Sequence, residues 1–270
     1  MDGSFAKVYV ALMTDAAVTA KPVLVLDFDG TVCVGDAPVW AYAEAIIAEL
    51  SASDSLSSAD LGAAIRAQLS AFLDGTPGSP EHLDGYAAVA TLVADHATAE
   101  QLQRAYATSR RRLADGTIAV SAPPGLDAFL GELGPHVERV LVTNAPANGI
   151  DEILKSIGLS DLIDWIVTDA DKPAGWSTLL PQLTAHRPPA AVMAVGDIWG
   201  NDLHEPLIAG CATALIDRFG HRTGSAHLTA STFVDLYPGI RKWAADPQGF
   251  VDEHQPSTIA PSHNSTAESA

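Results

Sequence analysis

Residues 22–31 read Pro-Val-Leu-Val-Leu-Asp-Phe-Asp-Gly-Thr. The run from Pro22 to Leu26 is apolar without interruption, then stops at Asp27, Phe28, Asp29, Gly30 and Thr31. That is the pattern of a strand buried on both faces, with a turn at its C-terminal end. Such a strand belongs in a parallel sheet covered by helices on both sides, so strands and helices should alternate around it.

The alternation begins after Gly116. Strand candidates are Arg139–Thr143, Trp165–Thr168, Ala191–Gly196 and Thr213–Ile216, separated by helix candidates at 124–133, 148–157, 173–186 and 201–210. A last helix near 234–244 closes the core. Between the first strand and this region the text is helical throughout. Val39, Ala43, Ile46, Ile47 and Leu50 recur at helical spacing, as do Leu61, Ile65, Leu69 and Phe72. Two further sets follow: Leu83, Tyr86, Val89 and Val93, then Leu102, Tyr106, Ser109 and Leu113. Breaks fall near 51–58, 75–80 and 97–98, and Thr98 followed by Gln101 has the form of a capping box. The expected architecture is an α/β fold: a doubly wound, parallel-sheet, Rossmann-like core over 21–36 and 117–245, with four helices inserted at 37–116. Residues 1–20 read as a loose extension. Residues 246–270, rich in Ser, Thr, Pro, His and acidic residues, read as a disordered tail.

Composition narrows the function. The chain has 270 residues, 47% of them hydrophobic and 6% aromatic, so Val, Leu, Ile and Ala must pack its core. A formal net charge of -18 repels nucleic acid and anionic lipid, which excludes both as expected partners. Two cysteines, Cys33 and Cys211, make neither a disulfide framework nor a zinc cluster, and the expected setting is cytoplasmic. The apolar run at 8–13 is too short for a signal sequence, and no stretch approaches the ~20 apolar residues of a membrane span.

In open α/β sheets, ligands sit beyond the C-terminal strand ends, where the strand order reverses. Those ends carry Asp27 and Asp29, Thr143 and Asn144, Lys172, and the run Asp197–Asp202. Carboxylates and a lysine converging on one rim are costly to hold together unless a cation and an anion lie among them. A carboxylate can attack phosphorus to give an aspartyl-phosphate, given a proton donor, a cation and donors for the transferring charge. Gly30 permits an unusual backbone angle and close approach to phosphate. Thr143 can donate a hydroxyl hydrogen bond, and Lys172 can neutralise a phosphate oxygen. Asp27 and Asp197 together offer the oxygen ligands that Mg²⁺ takes.

These four segments, in this order, resemble the four motifs of the haloacid dehalogenase (HAD) superfamily. The inserted helices stand where that superfamily carries its type 1 helical cap, as in its phosphoglycolate phosphatase-like branch. The resemblance implies Asp27 as nucleophile and metal ligand. It implies Asp29 as general acid and base, binding metal through its backbone carbonyl. Thr143 and Lys172 would bind the phosphoryl group, with Asn144 adding a backbone donor. Asp197 would bind Mg²⁺, and Asp202 would orient its water ligands or Lys172 from behind, N-capping being the competing role for Asp202. Dehalogenases of the superfamily lack an aspartate at the position of Asp29, so the resemblance favours phosphate esters.

The expected activity is hydrolysis of a small phosphorylated metabolite. A phosphomutase, or a phosphometabolite-binding protein without catalysis, are the alternatives. The run Arg110-Arg111-Arg112 reads as a solvated helix face, with a substrate role as the second reading. Cys33 reads as a packing residue, Trp40 and Tyr42 as core residues or pocket walls, and Trp199 as a wall of the site. The sequence carries no signal for oligomeric state.

Overall fold

A computed structural model describes residues 20–52, 58–77, 79, 82–221 and 224–256. The expected extension therefore lies, up to residue 19, outside the described residues. Strands β1 (Val23–Leu26), β2 (Glu138–Val142), β3 (Trp165–Val167), β4 (Val192–Gly196), β5 (Ala212–Ile216) and β6 (Leu228–Ala230) form one sheet. Its order is β3-β2-β1-β4-β5-β6, and every neighbouring pair is parallel. The chain leaves β1 toward β2 on one side and returns to β4 on the other. The strand order thus reverses between β1 and β4, and a crevice opens above their C-terminal ends.

Alternate residues of a strand point to opposite faces. Leu24 and Leu26 of β1 join Leu141, Met193, Val195 and Ala214 in the core on one face. That face is covered by α5 (Leu126–Leu133), α6 (Ile150–Ser156), α9 (Phe233–Ala245) and α10 (Pro247–Glu253). Val23 and Val25 pack on the other face with Val140, Val142, Val192 and Trp176, the last from α7 (Trp176–Thr184). Helix α8 (His204–Ile208) follows a π-helical turn, Trp199–Leu203, whose Leu203 packs on Ala194 and Leu215.

Between β1 and β2 lie α1 (Ala37–Ser51), α2 (Ser58–Leu73), α3 (Gly85–Leu92) and α4 (Ala99–Ala114). They hold a separate apolar cluster that includes Ile46, Ile65, Leu69, Phe72 and Val89. Tyr42, Tyr86 and Tyr106 meet inside it, with ring centroids 5.4–6.4 Å apart. Helix α4 starts at the capping box read from sequence: Thr98 Oγ1 accepts from Gln101 N, and Gln101 Oε1 accepts from Thr98 N. Gly85 is required where α3 crosses α1, because a Cβ there would collide with Val39.

Two elements depart from the sequence reading. β6 was not expected; at three residues it is too short to show a period. The expected tail from 246 begins instead with α10: Asp246 caps it by accepting from Gly249 N at 3.0 Å, and Phe250 anchors it in the core. The rest of that tail, from 257, lies outside the described residues. No helix among the described residues is long and apolar enough to cross a membrane.

Leu69, fully buried between the inserted helices, tests whether their cluster folds as a packed unit. Leu69→Ala should cost about 2–5 kcal/mol in denaturant unfolding; a loss below about 0.5 kcal/mol would contradict this packing.

Candidate active site

The loop after β1 is built on one carbonyl. Phe28 O accepts from Thr31, Val32 and Cys33 N at 3.3, 3.1 and 2.9 Å, while Gly30 N donates to Cys33 O at 2.9 Å. Asp27 N still bonds Val195 O of β4, at 3.0 Å, so Asp27 sits at the mouth of the crevice. Gly30 has φ +81°, and a Cβ there would collide with the Asp197 carboxylate. This glycine is thus fixed both by its backbone angle and by the close approach of the loop after β4.

Lys172 enters from the loop after β3. Its Nζ donates to Asp27 Oδ1 at 2.7 Å and to Asp202 Oδ1 at 2.6 Å, with the side chain 2% exposed. Burial alone would lower its pKa, but Asp27 and Asp202 outweigh burial and raise it, so the ammonium stays charged. The loop is held by several bonds. Asn144 clamps the Lys172 backbone, Nδ2 donating to its carbonyl at 2.9 Å and Oδ1 accepting from its N–H at 2.6 Å. Ala170 N bonds Thr143 O, and Asp169 N bonds Ala145 O, both at 3.0 Å. Asp169 and Asp171 adopt left-handed backbone angles, φ 49° and 53°, a strain of about 1–3 kcal/mol each that this bonding must hold. Thr143 is buried at the end of β2, and its hydroxyl accepts from Ala145 N at 3.0 Å.

Asp202 is buried and accepts from Ile198 N at 3.0 Å through its second oxygen. It thus ties the π-helical turn back to its start and does not cap the following helix. A Cβ on Gly196 would strike it, so the end of β4 is shaped around this carboxylate. One oxygen each of Asp27, Asp197 and Asp202 lie within 4.8 Å of one another. Burial, then Asp27, push the Asp202 carboxyl up to about 7 against the pull of Lys172. Burial, then Asp27 and Asp202, raise Asp197 well above the ordinary carboxylate range. Asp197 Oδ1 is buried and has no hydrogen-bond partner among the described residues. A buried carboxylate oxygen left without a partner fits a hard cation, and the all-carboxylate donor set fits Mg²⁺.

Asp29 does not turn its carboxylate to this cluster. It pairs with Arg110 of α4, whose Nη1 donates to its two oxygens at 2.9 and 3.0 Å. Burial raises the Asp29 pKa; Arg110 opposes this and Asp27 adds to it. Arg110 is the residue that sequence reasoning undervalued. It is 4% exposed, whereas its neighbours Arg111 and Arg112 lie on the solvated face expected of all three. The signal was present: Arg110 is one turn from Tyr106 and next to Ser109, both on the apolar stripe of α4. Of the other residues, Cys33 packs in the core, burial driving its thiol pKa up, and Tyr42 is a core residue of the inserted helices. Trp40 packs at the edge of that cluster. Trp199 packs on Leu203 and Leu215 beneath Gly224 and also lines a small recess beside Asp197. A cavity of about 440 Å³ opens between the two layers, lined by Asp29, Gly30, Asp84, Tyr86, Asp197 and Arg218 among others.

No family model matches the sequence, and no curated protein matches it. Solved structures do. A haloacid dehalogenase-like family hydrolase from Xanthomonas campestris is 16% identical, covers 87% of this chain and 97% of its own, and has a TM-score of 0.52. The magnesium-bound HAD-hydrolase YfnB from Bacillus subtilis is 14% identical, with 81% and 97% covered and a TM-score of 0.56. A HAD phosphatase from Thermococcus onnurineus is 19% identical, with 82% and 96% covered and a TM-score of 0.51. The chain has the fold of the haloacid dehalogenase-like hydrolases.

The clustered carboxylates make stability depend on pH. The folded pKa of Asp202, about 7, exceeds the unfolded value of about 3.9. Its contribution is therefore complete below the unfolded value and lost as pH rises through the folded one. Asp29, Asp84 and Asp197 shift in the same direction. With chelator present, the Tm should fall between pH 5 and pH 8, and Mg²⁺ at pH 8 should recover part of it. Asp202→Asn should flatten the fall. A Tm that is independent of both pH and Mg²⁺ would contradict the clustering.

Proposed function

We propose that this chain is a magnesium-dependent phosphatase, hydrolysing the ester of a small phosphorylated metabolite through an aspartyl-phosphate on Asp27. The observation that carries this is the Lys172 ammonium bridging Asp27 and Asp202 beside the unpartnered oxygen of Asp197. A carboxylate nucleophile must approach an anionic phosphoryl group, and both charges need offsetting at the reacting atoms.

Asp27 attacks phosphorus through a carboxylate oxygen, and the bond to the leaving alcohol breaks. Asp29, whose raised pKa favours holding a proton, passes it to the departing oxygen. Asp29 then takes a proton from water, and the water oxygen attacks phosphorus and frees Asp27. Lys172 offsets charge on Asp27 and on a phosphoryl oxygen, and Asn144 positions it by clamping its backbone. Thr143 and the backbone N–H of Asn144 donate to the phosphoryl group. Asp27, Asp197 and the Asp29 carbonyl would hold Mg²⁺, with Asp202 behind them; YfnB, of the same fold, is magnesium-bound. When bound, the ion supplies positive charge against the nucleophile and the phosphoryl oxygens.

Helices α1–α4 act as a cap over the crevice. A cavity of about 440 Å³ suits a small metabolite better than a polymer. Two free, buried cysteines fit a reducing, cytoplasmic workplace, which belongs to the same proposal.

Phosphate release from p-nitrophenyl phosphate and a panel of small alkyl esters tests the reading. Release should need Mg²⁺ and vanish in Asp27→Asn. Asp29→Asn should lower release from alkyl esters by about 10²–10⁴, and less from p-nitrophenyl phosphate, whose leaving group needs no proton. Chelator-resistant release, or an active Asp27→Asn protein, would overturn the proposal.

A further inference from the structure

The cavity bordered by Asp29 and Asp197 lies between the inserted helices and the core. Away from those two carboxylates its walls are largely apolar. They include Val39 of α1, Leu73 of α2, Pro124, Ile216 at the end of β5, Phe219 in the loop after it, and Val234 of α9. Phe219 is held there by Phe72 of α2, the two ring centroids 4.5 Å apart, so a core loop and an inserted helix build this wall together.

Apolar walls are ordinary in a ligand site; selectivity comes from the few polar groups left to face the ligand. In this cavity the polar side chains are already engaged. Arg218 grips Asp36 through both terminal nitrogens, at 2.6 and 2.9 Å. Asp84 caps α3, accepting from Ala87 N at 2.6 Å. Thr232 caps α9: its hydroxyl donates to Asp235 Oδ2 at 2.6 Å and accepts from Asp235 N at 3.4 Å. Both oxygens of Asp29 accept from Arg110. The Tyr86 hydroxyl is buried, so that residue offers the cavity no polar atom. Ser231 stands exposed to solvent.

These commitments constrain the alcohol of a substrate. A polyol would bury hydroxyls with no side chain left to pair them, and a buried unpaired polar group is costly. A second anionic group would meet Asp29, Asp84 and Asp197 on the wall, where Arg218 is the cation and already holds Asp36. An apolar alcohol incurs neither cost and gains by leaving water.

We propose that this cavity takes an apolar alcohol, so that the enzyme prefers phosphate monoesters of alkyl or aryl alcohols to those of sugars, polyols or hydroxy acids. Leu73 and Phe219 are thereby specificity-determining residues, which touch the alcohol and leave the phosphoryl group to the strand ends. Turnover of such esters rests on the phosphatase reading; the preference in binding does not.

The test compares n-butyl phosphate with two other esters. Erythritol 4-phosphate has the same four carbons and three more hydroxyls, and ethyl phosphate is two methylenes shorter. Wild-type protein with Mg²⁺ should favour the butyl ester at least ten-fold in kcat/KM over each, mainly through KM; two buried methylenes alone are worth about fifteen-fold. Leu73→Asn and Phe219→Asn, each placing an amide on the wall, should shrink the butyl-to-erythritol ratio at least five-fold. Retained kcat for ethyl phosphate separates a changed wall from a misfolded variant, and the wild-type comparison decides without either. Calorimetric binding of the three esters to full-length Asp27→Asn protein should repeat the ranking without turnover. Butyl-selective binding, in a protein whose wild type hydrolyses none of the esters, would sustain the cavity and sink the phosphatase reading. A butyl ester handled no better than either comparator would overturn the inference, with the phosphatase reading intact wherever phosphate is released. So would a butyl preference that both folded wall variants leave unchanged.

Discussion

The ammonium of Lys172, 2.7 Å from Asp27 and 2.6 Å from Asp202, is the contact on which the site depends. Without it, Asp27, Asp197 and Asp202 would crowd one buried rim with negative charge and no protein cation among them. Much of the surrounding structure serves to deliver that one side chain. Asn144 clamps its backbone, Asp169 and Asp171 accept left-handed angles to turn the loop, and Asp202 anchors the π-helical turn while receiving the lysine. Lys172 answers Asp27 and Asp202 but leaves Asp197 Oδ1 without a partner among the described residues, and that remainder is what a hard cation would answer on the proposed reading.

The same constraint governs the whole molecule. On the proposed reading, a chain of formal net charge -18 that handles an anion must supply positive charge locally. The crevice between β1 and β4 concentrates it: Lys172 from below, Arg110 from the inserted helices, Arg218 from the loop after β5. Each already holds a carboxylate, Asp27 and Asp202, Asp29, and Asp36 respectively. The pair formed by Arg110 and Asp29 ties the inserted helices to the core at the loop after β1.

The sheet was legible because β1 and β4 are buried on both faces and read as apolar runs, and β2 and β5 carry short apolar stretches, each ending in a chemically loaded turn. The inserted helices were legible from their apolar spacing, and α4 from its capping box. β6 was not, since Leu228–Ala230 is a short edge strand with no period to detect. Nor was α10, whose composition resembles a tail; Phe250 supplies its burial, and one residue makes no pattern. Among candidate site residues, Asp27, Asp29, Thr143, Lys172, Asp197 and Asp202 could be named because each follows a strand and strand ends converge. Arg110 lies on a helix 81 positions from Asp29, and its meeting with that residue depends on how the inserted helices dock. A local reading of three consecutive arginines cannot show that one of them points inward.

The central claim is that Asp27 itself becomes phosphorylated. Borohydride reduces an acyl phosphate to an alcohol, so trapping the full-length protein during turnover of a small phosphate ester with Mg²⁺, followed by peptide mass spectrometry, reads it directly. The account predicts homoserine at position 27 and at no other carboxylate, with none in chelator. Turnover that leaves Asp27 unreduced, or a reduced residue elsewhere, would contradict it.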